Sequence, residues 1–396
     1  LSTALYLLPT SGGIEVKGVK VSYGELDLSG DNLKMKDLQS DGSTDDQGRY
    51  HVQAKSAMQD PEDSDVVQLE TIVAKLTEVD QSWAKLVGKS GTYWRKANKL
   101  RMTGGIAIET KDGMRAKLET ADFYVKQKRI VSSMPVEVQT PNGTIHADTL
   151  ELMTGERRIL FKQNVVAHLT PPPQRAPAQS PRPAPGAGFD AATLADGPID
   201  ITADQLEVLD NDKLAIFSGS VRAVQSEATL TASELKITYS GEPGARTDPS
   251  AGGAQVALIE ASENVLMTMT DGRKASGDTS IYDRVAESLT LAGNVRVSDG
   301  GNLITGARLE MDLAKRITRF PPGARVHAHL DPDDGDDGTR KQGKKTKKTA
   351  VTGKEAGGQP AIGDSFAGFS ASQGGATDIE ADQLEVRRRG EVAHES

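Results

Sequence analysis

ITADQLEV fills Ile201–Val208 and IEADQLEV fills Ile379–Val386; seven of the eight letters agree. Both follow one pattern: apolar, any, small, any, any, apolar, any, apolar. In an extended strand, side chains alternate between faces with period 2. Ile201 and Ala203 therefore share a face, as do Leu206 and Val208. The three-residue step from Ala203 to Leu206 reverses the parity. It predicts a bend, bulge or corner in the strand, with a small residue where backbones approach closely.

The pattern recurs along the chain. Copies are Leu28-Gly30-Leu33-Met35, Val52-Ala54-Ala57, Leu86-Gly88-Gly91-Tyr93, Leu118-Thr120-Phe123-Val125 and Ile145-Ala147-Leu150-Leu152. Further on come Leu230-Ala232-Leu235-Ile237, Ala275-Gly277-Ser280-Tyr282 and Ile304-Gly306-Leu309-Met311. Between copies lies a second phrase, a short alternating strand opened by Gly or Asn: GGIAI (104–108), GSVRAV (219–224), ENVLMTM (263–269) and GNVRV (293–297). Ile106, Val136 and Val165 are spaced 30 and 29 apart. Asp112-Gly113, Asn142-Gly143, Asp271-Gly272 and Asp299-Gly300 mark turns. A strand-and-turn period near 30 predicts a stacked all-β chain, and no segment carries a helical apolar stripe.

Composition agrees. There are 40 glycines in 396 residues and only 4% aromatic residues, which suits repeated turns more than helices. The net charge of −9 argues against nucleic acid as a partner. The absence of cysteine excludes disulfide scaffolding and thiol chemistry. The apolar stretch Leu1–Leu8 is too short to span a bilayer, which takes roughly 20 residues. It is read as the end of a signal or anchor segment. A Pro/Ala linker (171–198) separates a first module (14–170) from a second (199–322). A charged, then Gly-rich linker (323–376) precedes the start of a further module (377–396), inside which the sequence stops. The expected boundaries leave 1–13 as the anchor or leader tail.

Little here suggests chemistry. His327 and His329 would share a strand face and could pair on a metal, but an exposed strand end explains them better. The carboxylates of 331–338 lack the closing Glu of a calcium loop. Asp204 with Glu207, and Asp278 with Asp283, fall at outward or turn positions and read as solubilising. No nucleophile motif or phosphate loop is present. No catalytic residue, metal site or cofactor is expected. An apolar β interior remains, suited to hydrocarbon.

The stretch 198–238, with ENVLMTMTDGRKASGD and LTLAGNVRV beyond it, resembles the LptA/OstA family of lipopolysaccharide-transport proteins. The carrying features are I-x-A-D-Q-L, F-S-G-x-V, A-S-G-D and L-x-G-N-V, in that order. The first module resembles LptC through GIEVKGVKVSYGELDLSGDNLKM, SGTYWRKANKLRMTGGIAIET and PNGTIHADTLELM. The resemblance implies tandem open, twisted β jelly-roll modules, not an enzyme. It implies a periplasmic location with an N-terminal inner-membrane anchor. The implied partners are lipopolysaccharide, an inner-membrane ATP-driven Lpt complex, an outer-membrane Lpt translocon and neighbouring modules paired edge strand to edge strand. Having both modules in one chain is a departure, and the Pro-rich linker suggests docking set by linker length rather than by a continuous strand.

Alternation places the candidate lipid-contacting residues. They are Ile106, Ile108, Val136 and Val138 in the first module, and Ile201, Val221, Ala223, Val265, Met267, Met269, Val295 and Val297 in the second. The competing expectations are a self-assembling β-repeat scaffold of the bactofilin kind and a parallel β-helix enzyme acting on polysaccharide. The latter needs acidic or basic residues stacked on successive turns, which the sequence does not show.

Overall fold

The computed structural model describes residues 12–16, 19–27, 33–43, 47–170, 198–240, 255–315, 317–322, 325–330 and 377–387. Leu1–Leu8, residues 171–197 of the Pro-rich linker and residues 331–376 of the linker expected over 323–376 lie outside the described residues. Val326–Leu330, expected in that linker, is instead a strand, because its alternating apolar residues pair with neighbouring strands. The chain divides into two compact units. One holds residues 1–172, 198–223 and 234–257; the other holds 173–197, 224–233 and 258–396. Among the described residues there is no helix, and the strand pairings are antiparallel.

In the first unit the order is β1 (Gly12–Val16), β2 (Val19–Tyr23), β3 (Glu25–Asp27), β4 (Lys34–Ser43), β5 (Arg49–Gln59), β6 (Val66–Thr77), β7 (Trp83–Trp94) and β8 (Lys99–Thr110). Then come β9 (Arg115–Tyr124), β10 (Arg129–Ser132), β11 (Val136–Thr140), β12 (Gly143–Ala147), β13 (Thr149–Met153), β14 (Arg158–Leu169) and β15 (Ile199–Leu209). β4 through β9 pair as a simple meander. Where a strand does not run through unbroken, two short strands take its place. β10 and β11 both pair with β9, and β12 and β13 both pair with β14. β16 (Leu214–Gln225), β17 (Ala228–Ser240) and β18 (Gln255–Met269) follow.

In the second unit, β18 pairs with β19 (Lys274–Asp283), β19 with β20 (Ser288–Asp299) and β20 with β21 (Asn302–Asp312). β21 carries β22 (Ile317–Phe320) and β23 (Val326–Leu330). These in turn pair with β25 (Leu384–Arg387) and β24 (Thr377–Ala381).

The repeated phrase is a corner, and its partner is the second phrase. In β14, Gln163 and Asn164 have φ of 64° and 49°, and together they face the single Asp204 of β15. In β8, Gly104 and Gly105 face Glu119; in β18, Glu263 and Asn264 face Asp278; in β20, Gly293 and Asn294 face Ala307. Two left-handed residues against one make a bulge that turns the strand. Gly and Asn take that conformation at least cost. The amide of Asn294 donates to Asp278 (3.0 Å) and that of Asn164 to Asp148 (2.6 Å). A Cβ on Gly293 would sit 2.2 Å from an Asp278 oxygen. Asp278, read as solubilising, therefore braces a corner. The small residue of the phrase lies in the crease, where a Cβ on Gly306 would come within 2.8 Å of Phe320.

One copy is corrected by two residues. In β9 the register aligns Ala116-Leu118-Ala121-Phe123 with Ile201-Ala203-Leu206-Val208, rather than Leu118-Thr120-Phe123-Val125. Val125 is exposed and ends the strand. Leu118 and Phe123 fit either frame, and only ladder partners choose between them.

The junction between the modules is a ladder. β15 pairs with β14 from Arg158↔Leu209 to Leu169↔Ile199, so the linker's ends meet in a continuous strand pairing. His168 and Asp200 lie opposite each other at 2.5 Å, and Glu207 accepts from Arg158.

Candidate functional site: an apolar inner face

Period-2 alternation gives each sheet one apolar face, and the ladder arranges that face in rows. In the first unit one row reads Ile108, Ala116, Val138, Ile145, Ala167, Ile201, each directly opposite the next. Ala167 and Ile201 are fully buried. A second row, nearer the crease, holds Ala54, Ile72, Ile106, Leu118 and Val136, all at most 3% exposed. Burial varies along the first row, from half-buried at Val52, Ala74, Leu86 and Ile108 to fully buried at Ala167 and Ile201.

The structure brings the sequence candidates together within each unit. Ile108, Val138 and Ile201 share the first row, and Ile106 and Val136 share the second. Val221 and Ala223 are buried on either side of the exposed Arg222. The Thr202 hydroxyl donates to the Arg222 carbonyl at 3.5 Å. In the second unit Met267, Ala275, Val297, Ile304, Ala328 and Ile379 form one row. Val265 and Val295 are buried opposite Gly277 and Gly306. Met269 and Val297 are half-buried.

Sequence reasoning missed Ala116, Ala167 and Ala328. Each occupies an alternate position next to a chosen residue, so the signal was present but its small side chain drew no notice. It also missed Arg273, which is 5% exposed on the inner face opposite Met269.

Polar groups near this face are few. Burial pushes the Tyr239 hydroxyl up to about 12. The Arg273 guanidinium beside Asp271 holds that carboxyl below its usual range. His327 and His329 each face a carboxylate across the ladder, Glu380 at 3.3 Å and Asp378 at 2.6 Å. Among the described residues no grouping of three or more His, Cys, Asp or Glu could hold a metal. No helix among them is long and apolar enough to cross a membrane.

Two family profiles match this chain. Residues 5–170 match "Lipopolysaccharide-assembly, LptC-related", and residues 200–317 match "LptA/(LptD N-terminal domain) LPS transport protein". An uncharacterized protein of Rhizobium meliloti (strain 1021) is 32% identical over 139 residues, which span 35% of this chain and 73% of that protein. Among solved structures, the chain is similar to LptH, the LptA-homologous periplasmic component of the lipopolysaccharide transport device of Pseudomonas aeruginosa. There the identity is 19% and the TM-score 0.25, covering 31% of this chain and 80% of that one. At that score the likeness adds nothing to the assignment.

The protein is thus an all-β transport component and not an enzyme. It belongs to the LptC/LptA-like family of lipopolysaccharide-transport proteins, which work in the periplasm.

Proposed function

We propose that the inner face carries the acyl chains of lipid A, and that the two modules form one stretch of a bridge from the inner-membrane ATP-driven complex to the outer-membrane translocon. One observation carries this reading. The apolar row from Ile108 to Ile201 runs without a polar break through the β14–β15 joint, where one module ends and the next begins. A hydrocarbon chain moving along such a row keeps apolar contact, at roughly 0.8 kcal/mol per CH₂ kept from water. The half-burial of Val52, Ala74, Leu86 and Ile108 supports a groove open along one side. An N-terminal inner-membrane anchor ending at Leu1–Leu8 completes the reading, which includes further modules docking by edge strands.

The test is a photo-crosslinker in cells making lipopolysaccharide, placed at Met267 or Met269 on the inner face and at Thr268 on the outer. Lipid adducts at the two methionines and none at Thr268 are expected. Equal labelling at all three, or none, removes the groove. The near-complete burial of Val265 and Met267 favours a second reading, an ordinary closed core. Met267→Asp separates the two. A closed core loses several kcal/mol because a carboxylate is stranded, whereas an open groove hydrates it and the protein stays folded.

A further inference from the structure

The hairpin between β18 and β19 turns on Asp271-Gly272. The Asp271 carboxylate accepts from the backbone N–H of Arg273 (3.1 Å) and from its Nε (2.6 Å), and lies 2.5 Å from Nη2. One edge of the guanidinium is satisfied in this way. The remaining nitrogen, Nη1, is buried and has no hydrogen-bond acceptor among the described residues.

Arg273 lies on the inner face. The Met269 N–H donates to the Arg273 carbonyl at 2.9 Å, and the next inward pair along the same ladder is Met267↔Ala275. A cation is thus set where the apolar row meets the end of the hairpin. The first module shows that the fold does not require it. Its equivalent turn, Asp112-Gly113, is followed by Met114, whose carbonyl accepts from the Thr110 N–H in the same way (3.0 Å).

A buried N–H donor without an acceptor is unfavourable, and more so on a charged group. A guanidinium offers its donors in a planar fork that matches the oxygens of phosphate. Asp271 occupies one side of the fork and leaves Nη1 for a second anion.

We propose that Arg273 binds a phosphate group on the saccharide headgroup of a lipid whose chains lie against Met267 and Ala275. This rests on the groove reading above and assigns the headgroup end of the same site. Arg273 fixes where along the face the lipid stops sliding inward, because the phosphate stays at the hairpin while the chains run toward the crease.

The experiment uses the full chain with lipopolysaccharide and with the same lipopolysaccharide after enzymatic removal of its phosphates. Affinities are read by displacement of a fluorescent lipid. The unaltered chain binds the phosphorylated form at least about tenfold more tightly, the size of one charge-assisted hydrogen bond. Arg273→Met, which copies the first module, erases that preference and leaves binding of the dephosphorylated form unchanged. Arg273→Lys keeps the charge without the fork and retains only part of the preference. An unaltered chain that binds both forms equally overturns the proposal. So does an Arg273→Met chain that loses affinity for both forms alike, since that marks a packing role. Inorganic phosphate is titrated alone; if it binds through Arg273 as tightly as the phosphorylated lipid does, the ligand is a free anion and the lipid assignment falls. Binding of the dephosphorylated lipid reads the groove by itself, so failure of the groove and failure of the Arg273 assignment give different results.

Discussion

The chain makes one joint twice. At the first, VVAHL (165–169) lies against IDITA (199–203); at the second, VHAHL (326–330) lies against TDIEA (377–381). Ladder partners correspond one for one. Ala167↔Ile201 matches Ala328↔Ile379, and Val165↔Ala203 matches Val326↔Ala381. Beyond the corner, Phe161↔Leu206 matches Phe320↔Leu384. Each joint has its His–Asp pair, His168 with Asp200 and His329 with Asp378. Two of the five rungs differ: Leu169↔Ile199 becomes Leu330↔Thr377, and one outward rung changes its chemistry. In that outward rung the first joint sets exposed Val166 opposite Thr202, and the second sets His327 opposite Glu380. Two inward rungs and the outward His–Asp rung are kept, and the outermost inward rung changes Ile199 to Thr377. Burial of the two kept inward rungs outweighs an exposed charge pair in joining the strands.

The largest effect should come from charging the shared inward rung. Ala167→Asp strands a carboxylate at a fully buried position and should cost several kcal/mol, read by denaturant unfolding. Ala328 is slightly more exposed, so Ala328→Asp should cost less; equal costs would mean that the second joint is packed as tightly as the first.

A backbone change comes next. Thr202→Pro removes an N–H from β15, and Glu380→Pro does the same at the matching place in β24. With no native cysteine, His168→Cys with Asp200→Cys reports the first joint cleanly, and His329→Cys with Asp378→Cys reports the second. Crosslinking should fall at the altered joint alone. Unchanged crosslinking after Thr202→Pro would show that β15 docks without that rung.

Smaller still is the effect of the outward rung that differs. His327→Val copies Val166 into the second joint. It should shift stability by no more than about 1 kcal/mol, the range of an exposed ion pair. A larger loss would make the second joint electrostatic, unlike the first.

Acid should act mildly through two carboxylates of the first unit. Hydrogen bonds from Arg101 lower Asp122, and those from Arg129 lower Glu151. A lowered folded-state value means the stabilisation is present above the ordinary carboxylate range, about pH 4, and is lost as pH falls through the lowered value. Asp122→Asn should flatten that acid limb while leaving the second joint's crosslinking unchanged.

Much of this architecture is written locally. Alternation picks the inward residues, Asp-Gly and Asn-Gly place the hairpins, and the three-residue step between Ala203 and Leu206 announces the corner. Candidates such as Ile106, Val136, Val221 and Val265 are buried because a strand's two faces are determined by its own residue order. Less legible was β9, where Leu118 fitted two frames two residues apart and the ladder with β8 and β11 chose one.

The sequence by itself determined the all-β class, the corners, the turns and the repetition of the joint, because each depends on neighbours within a few residues. Only the tertiary structure decided that β14 pairs with β15 across the linker, since ladder partners are chosen by strands far apart in the chain. It alone set how deeply each inward side chain lies, which depends on what covers it. Arg273 shows the same division. The letters Asp-Gly-Arg specify a turn and a cation, but that one guanidinium nitrogen is buried without an acceptor is a property of the folded chain alone.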